Sequence, residues 1–216
     1  MVSINKKLLL LLLVIINVGI SMIHGNKYGN KQVTKVTQLQ GGYAMPTITD
    51  IGKKQFELLS KNITFKAKVE NNQEEMKQGL VAGLLFYPHD PQRSFIQLIL
   101  KLTDKFLLYN FDGDIFLITH DFKGMIKFNI RKPNVLHKKH FNDGWMIEID
   151  NLNSIKKGCG KLLLNTIIAV SEEIKLDLCL WTETDKNTQY FVRYGFESKG
   201  KVGQNKENLM IRYVER

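Results

Sequence analysis

The chain has 216 residues, with 31 Lys and Arg against 21 Asp and Glu, a formal net charge of +10 at neutral pH, and 44% hydrophobic side chains. That size and apolar content suffice for one domain with a full core, and only two cysteines exclude a disulfide-built scaffold. The basic excess suits an anionic ligand, but lysine predominates, the basic residues are spread along the chain, and no aromatic-basic recognition pattern occurs, so no nucleic acid is expected as partner.

Lys6 and Lys7 precede an apolar run over residues 8–23 that is interrupted only by Asn17, Gly19 and Ser21. Residues 1–25 read as a signal peptide or a membrane anchor. The run is longer than most signal cores and short of the roughly 20 apolar residues that span a bilayer comfortably. Lysines ahead of it favour a cytoplasmic amino end and export of the rest, so the expected location is the secretory pathway, secreted or membrane-anchored. Residues 26–62 read as a linker. Their first part, 26–45, is rich in Lys, Gln, Thr and Gly without a hydrophobic period. A short helix is expected over 50–59, with Thr49 or Asp50 available as cap. Asn62-Ile63-Thr64 is a glycosylation sequon.

Residues 63–216 read as the folded domain. Residues 63–69 alternate apolar and polar side chains, a strand signature. A helix is expected over 74–87, ended by Pro88-His89-Asp90-Pro91. Residues 94–109 carry Phe95, Ile96, Leu98, Ile99, Leu102, Phe106 and Leu107 at helical spacing. Residues 113–119 and 124–130 read as paired strands. His89 and Asp90 could ligate a metal, but a helix-to-helix turn accounts for them. With no Cys-x-x-Cys, His-Glu-x-x-His or calcium-loop spacing in the chain, no metal is expected. No Gly-x-Ser-x-Gly marks a serine hydrolase either.

The most informative stretch follows. Residues 145–150, Trp-Met-Ile-Glu-Ile-Asp, form an apolar-rich strand that leads into Lys156-Lys157-Gly158-Cys159-Gly160-Lys161 and a helix over 162–170. Two glycines one residue apart let the backbone turn tightly and come close to a ligand. The helix behind them aims its unpaired N–H groups and positive dipole end at the turn. With three lysines alongside, a phosphate or pyrophosphate is the natural occupant, although a plain strand-to-helix connection can have the same sequence. The spacing fits neither a Gly-x-x-x-x-Gly-Lys-Ser/Thr loop nor a dinucleotide fingerprint, whose third glycine is replaced by Leu163.

Residues 176–182 read as the next strand, and 187–194 as a short amphipathic helix stopped by Gly195. Residues 200–207 read as a hairpin loop before a last strand over 208–214. The order strand, Lys-Lys-Gly-Cys-Gly-Lys, helix, strand, Asn187-x-x-x-Phe191, Arg193-Tyr194-Gly195-Phe196-Glu197 resembles the GNAT superfamily of N-acetyltransferases. The element order over roughly the last 150 residues of the 216 is similar to the GNAT fold as well.

The resemblance implies an α/β fold: a GNAT-like mixed central sheet flanked by helices, behind the N-terminal segment. It implies acetyl-CoA as co-substrate and a primary amine, on a small molecule or a protein, as acceptor. The strand residues Ile147, Ile149 and Asp150 would lie along the pantetheine. Lys156, Lys157, Gly158, Cys159, Gly160 and Lys161 would hold the diphosphate, and Asn187 and Phe191 would flank the cofactor arm. Two positions depart from the family pattern. Ile155 stands where Gln or Arg is usual, and Phe191 stands where a tyrosine serves as proton donor to the leaving thiolate. Tyr190 is the neighbouring substitute for that donor.

Acetyl transfer needs a neutral amine, and a free alkylamine is mostly protonated near neutral pH, so a base helps. Glu148 is the leading candidate: period-two alternation puts it with Met146 and Asp150 on one strand face, opposite Trp145, Ile147 and Ile149. A solvent-facing or ion-paired carboxylate is the competing reading of Glu148, and His120 and His140 are alternative bases. Cys159 and Cys179 are expected to be free thiols, because a bond between them would cramp the phosphate site. Two other functions stay open: a non-catalytic coenzyme A-binding or interaction module with the same fold, and a membrane-tethered basic protein acting in adhesion or assembly.

Overall fold

The computed structural model describes residues 48–87, 90–111, 114–141 and 144–215. The signal or anchor segment and the linker over 26–45 lie outside them, as does His89. Among the described residues four helices come first: α1 (Ile48–Lys61), α2 (Ile63–Asn71), α3 (Gln73–Phe86) and α4 (Gln92–Lys101). Strands β1 (Leu107–Phe111), β2 (Asp114–Ile118), β3 (Gly124–Arg131) and β4 (Met146–Ser154) follow. The chain closes with α5 (Cys159–Ile174), β5 (Leu178–Thr182), α6 (Asp185–Val192), β6 (Glu197–Lys201) and β7 (Asn208–Arg212).

The seven strands form one sheet in the order β1-β2-β3-β4-β5-β7-β6. Every neighbouring pair is antiparallel except β4 and β5, which run parallel and are joined through α5. A parallel pair needs such a crossover, and a helix is its usual form. This is a mixed α/β sheet flanked by helices, as expected from the sequence.

Strand alternation sorts the core onto two faces. Ile115, Leu117, Ile126, Phe128, Ile147, Ile149, Leu178 and Leu180 meet Leu80 of α3, Phe95 and Ile99 of α4, and Leu163, Leu164 and Ile167 of α5. Ile118 and Met125 point to the other face, where Phe56 of α1 and Val69 of α2 cover them. Further along that second face Met146, Cys179, Leu209 and Ile211 form a smaller cluster with Phe141 and Trp181.

Two expectations are corrected. Residues 63–69 are helical because Asn62 caps the helix, its Oδ1 accepting the Phe65 N–H at 2.9 Å. Phe65 and Val69, four apart, then share the face that packs inward, while Ile63 stays 83% exposed. A short alternating run satisfies both periods, and here the cap and the packing decide. The sequon asparagine therefore has a structural task. The expected single helix over 94–109 instead ends at Lys101, and a turn over 102–106 leads to β1. Leu107 and Leu108 are buried on opposite faces of the sheet, which only a strand allows. The Gln73 side chain holds the backbone of Leu108 from outside, donating to its oxygen at 2.8 Å and accepting from its nitrogen at 2.8 Å. That contact blunts the open edge of β1.

Within the expected linker, α1 belongs to the packed body. Its described span, Ile48–Lys61, includes Thr49 and Asp50. Phe56 is 1% exposed, and burying a ring of this kind contributes about 1.5–3 kcal/mol.

Candidate functional site

Strand β4 carries a bulge. Lys127 of β3 faces Asn151 while Phe128 faces Ile149, so Asp150 is the extra residue. A bulge bends its strand and often ends a pairing. Here β5 pairs with β4 only at Ile147–Leu178, Glu148–Cys179 and Ile149–Leu180, although β4 runs on to Ser154 and β5 to Thr182. Beyond Ile149 and Leu180 the two parallel strands part. The gap is a cleft of ≈ 250 Å³ lined by Ile149, Asp150, Asn151, Leu152 and Asn153 on one side and Leu180, Trp181 and Glu183 on the other. Asn187 and Phe191 of α6 close it from one face and Glu207 from the loop before β7.

The glycine turn lies where β4 leads into α5. Gly158 has φ +95° and forms the N-cap of α5 without a side-chain cap bond. A side chain rarely adopts that backbone, so the turn requires glycine. A Cβ added at Gly158 would meet nothing within 4 Å, and one at Gly160 would touch Ser154 at 3.4 Å and the Tyr190 hydroxyl at 3.9 Å. The bend is open at Gly158, while Gly160 is buried at the start of α5. Its backbone and helix end fit a phosphate group. Lys157 and Lys161 are exposed beside it, whereas Lys156 Nζ pairs with Asp121 Oδ2 at 3.1 Å. Ile155 packs against the second-face cluster with Phe56 and Phe122, so an apolar residue there serves the core. Cys159 and Cys179 are free thiols.

At the other end of the cleft Glu148 lines a second cavity of ≈ 390 Å³ on the face of β4 that also carries Met146. It is 9% exposed. Its Oε1 accepts the Trp181 indole N–H at 2.9 Å, and its Oε2 pairs with Arg131 Nη1 at 3.2 Å. Arg131 also reaches Asp150 at 3.0 Å and Asp114 at 3.5 Å, and Lys127 joins Asp114 at 2.6 Å. Burial pushes the Glu148 carboxyl above the usual carboxylate range, against the pull of Arg131 and of the Trp181 N–H. The carboxylate is thus held in one orientation beside the cavity, with burial favouring its protonated form.

The sequence-derived candidates divide by place. Ile149, Asp150, Asn187 and Phe191 line the cleft. Lys156, Lys157, Gly158, Cys159, Gly160 and Lys161 form the turn and the start of α5. Ile147 is fully buried in the main core and paired with Leu178 before the strands part. Tyr190 lines neither cavity. One residue from Phe191 on a helix, it points about 100° away, its ring against Phe191 and Tyr194 and its hydroxyl near Gly160. Burial, with a hydrogen bond to Tyr194, raises its pKa. His120 sits exposed in the turn after β2, and His140 lies in a short 3-10 helix outside the cavity lining.

Sequence reasoning missed Arg131, Trp181, Glu207 and His137. The available signal for Arg131 was the polar alternation Lys127, Asn129, Arg131 along β3, which marks the same face as Glu148 once the register is known. The His137 and Trp181 rings meet at a steep angle with centroids 5.2 Å apart, and both residues line this cavity.

No family model and no curated protein matches the chain. Among solved structures it is similar to one described as histone acetyltransferase HPA2 and related acetyltransferase from Corynebacterium glutamicum, at 15% identity over 72% of this chain and 94% of that one, TM-score 0.37. It is also similar to a PaiA N-acetyltransferase from Thermoplasma acidophilum in complex with coenzyme A, at 15% identity over 76% and 95% of the two chains, TM-score 0.32.

Proposed function

We propose that this chain is a GNAT-type N-acetyltransferase that moves an acetyl group from acetyl-coenzyme A to a primary amine. The observation that carries the reading is the parting of β4 and β5, with an open glycine turn at one end of the gap and a buried carboxylate at the other. An extended arm fits such a gap, and a diphosphate fits the turn.

In this reading the backbone of Gly158, Cys159, Gly160 and Lys161 holds the diphosphate. Lys157 and Lys161 add charge, and Lys156 shares its own with Asp121. Ile149, Asp150, Asn187 and Phe191 flank the pantetheine arm, which aims the thioester at the Glu148 end. The amine nitrogen bonds to the acetyl carbon and the carbon–sulfur bond breaks. The amine proton passes to Glu148, directly or through one water, and the departing thiolate takes a proton from solvent. Tyr190 lies by the turn and is not needed as donor. Much of the rate comes from holding amine and thioester in line.

Thermal stabilisation of the full chain by acetyl-coenzyme A, followed by a thiol-release screen over amine classes, tests the proposal. Stabilisation with turnover supports it, and no stabilisation sinks it. A second reading, a coenzyme A-binding module without turnover, is favoured by one observation: a phenyl ring, that of Phe191, faces the cleft. It predicts stabilisation without thiol release and turnover gained in Phe191→Tyr. For location, the lysines and apolar run before residue 26 support export, and sequencing the amino terminus of the mature protein decides between cleavage and anchoring.

A further inference from the structure

The cleft and the second cavity have two lining residues in common, Trp181 and Glu207. Trp181 stands on β5 at the first position past the β4–β5 pairing, where the gap opens. Its N–H is tied to Glu148 at 2.9 Å, and the His137 ring meets it at a steep angle with centroids 5.2 Å apart. The indole is therefore fixed by a hydrogen bond and a ring contact, and it borders both spaces.

We propose that Trp181 is the partition between the acyl-carrier cleft and the acceptor cavity, and that its ring restricts the donor to a short acyl chain. The inference rests on the reading of the cleft as an acyl-carrier site. A thioester at the Glu148 end of the gap has its acyl carbons directed past Trp181. The volume that would take a longer chain, ≈ 390 Å³, lies behind that ring among Phe141, Met146 and Leu209. Removing the ring joins the two spaces and lets added methylenes pack on the apolar part of that lining, Phe141, Met146 and Leu209.

The test is calorimetric binding of coenzyme A, acetyl-coenzyme A and hexanoyl-coenzyme A to the full chain, which needs no acceptor and no turnover. In Trp181→Ala the affinity for the hexanoyl donor relative to the acetyl donor should rise about tenfold or more, the scale of methylenes gaining a pocket. Trp181→Leu should show the same direction with less loss of packing, which keeps the test available if the alanine variant does not fold. Trp181→Phe keeps most of the partition while losing the N–H, so its ratio should stay near that of the wild type. An unchanged ratio in the alanine and leucine variants, with acetyl-coenzyme A still bound, overturns the partition and leaves the carrier site standing. A phenylalanine variant that relaxes as far as alanine also overturns it. If the wild type binds none of the three, the carrier reading falls and the partition with it.

Discussion

The two ends of the cleft are built by opposite means. At the glycine turn the chain presents backbone: Gly158 at positive φ, an α5 start without a side-chain cap, open space around it, and exposed lysines. At the Glu148 end it presents packed side chains, with both carboxylate oxygens engaged and the Arg131 guanidinium shared among Glu148, Asp150 and Asp114. Backbone donors at a helix start hold an anion of fixed shape and need little support from distant residues. A buried carboxylate has to be oriented and partly neutralised by groups from other strands. The turn should therefore respond to substitution in affinity, and the Glu148 end in rate and pH dependence.

The largest effect should come from Glu148→Gln, with turnover falling about 10²–10⁴-fold, the range for loss of a general base. Stabilisation by acetyl-coenzyme A should be unchanged, and a parallel fall in binding would break the division of labour. The same variant reports on pH. Burial raises the folded pKa of Glu148 above its unfolded value. Its contribution to stability is therefore complete below the unfolded pKa and lost as pH rises through the folded one. The melting temperature of Glu148→Gln should gain on that of the wild type across that interval, and melting curves taken from acid to neutral pH check it.

Next in size, Gly158→Val should weaken coenzyme A binding about tenfold or more, because a branched side chain at φ +95° forces the turn out of shape. Titration of the folded variant measures it, and undiminished affinity would remove the turn from the site. Arg131→Met should move the acid limb of the rate profile to higher pH, since Arg131 pulls the Glu148 pKa down. A limb that moves the other way, or stays fixed, would take Glu148 out of the base role. The smallest change is expected for Tyr190→Phe: less than about tenfold in turnover, the scale of one hydrogen bond. A drop as large as that of Glu148→Gln would return the proton-donor role to Tyr190.

Legibility followed the same division. The turn could be read from six consecutive residues because glycine spacing and a following helix are local features. The sides of β4 were legible for a similar reason: alternation assigned Met146 and Glu148 to one face and Ile147 and Ile149 to the other, as the clusters show. The point where β5 leaves β4 was not legible, because it is set by the bulge at Asp150 and by pairing to β3. Alternation misled over residues 63–69, where the Asn62 cap and the i, i+4 pair of Phe65 and Val69 favoured a helix.

By itself the sequence determined the features whose causes lie within a few residues of one another: the glycine turn, the helix behind it, and the strands β2, β3, β4, β5 and β7. Only the tertiary structure decided where β4 and β5 part, which partners hold Glu148, and that Trp181 borders two cavities. Those depend on Arg131, Trp181 and Glu207, residues far apart in the chain that the sheet register brings together, and no local pattern carries that register.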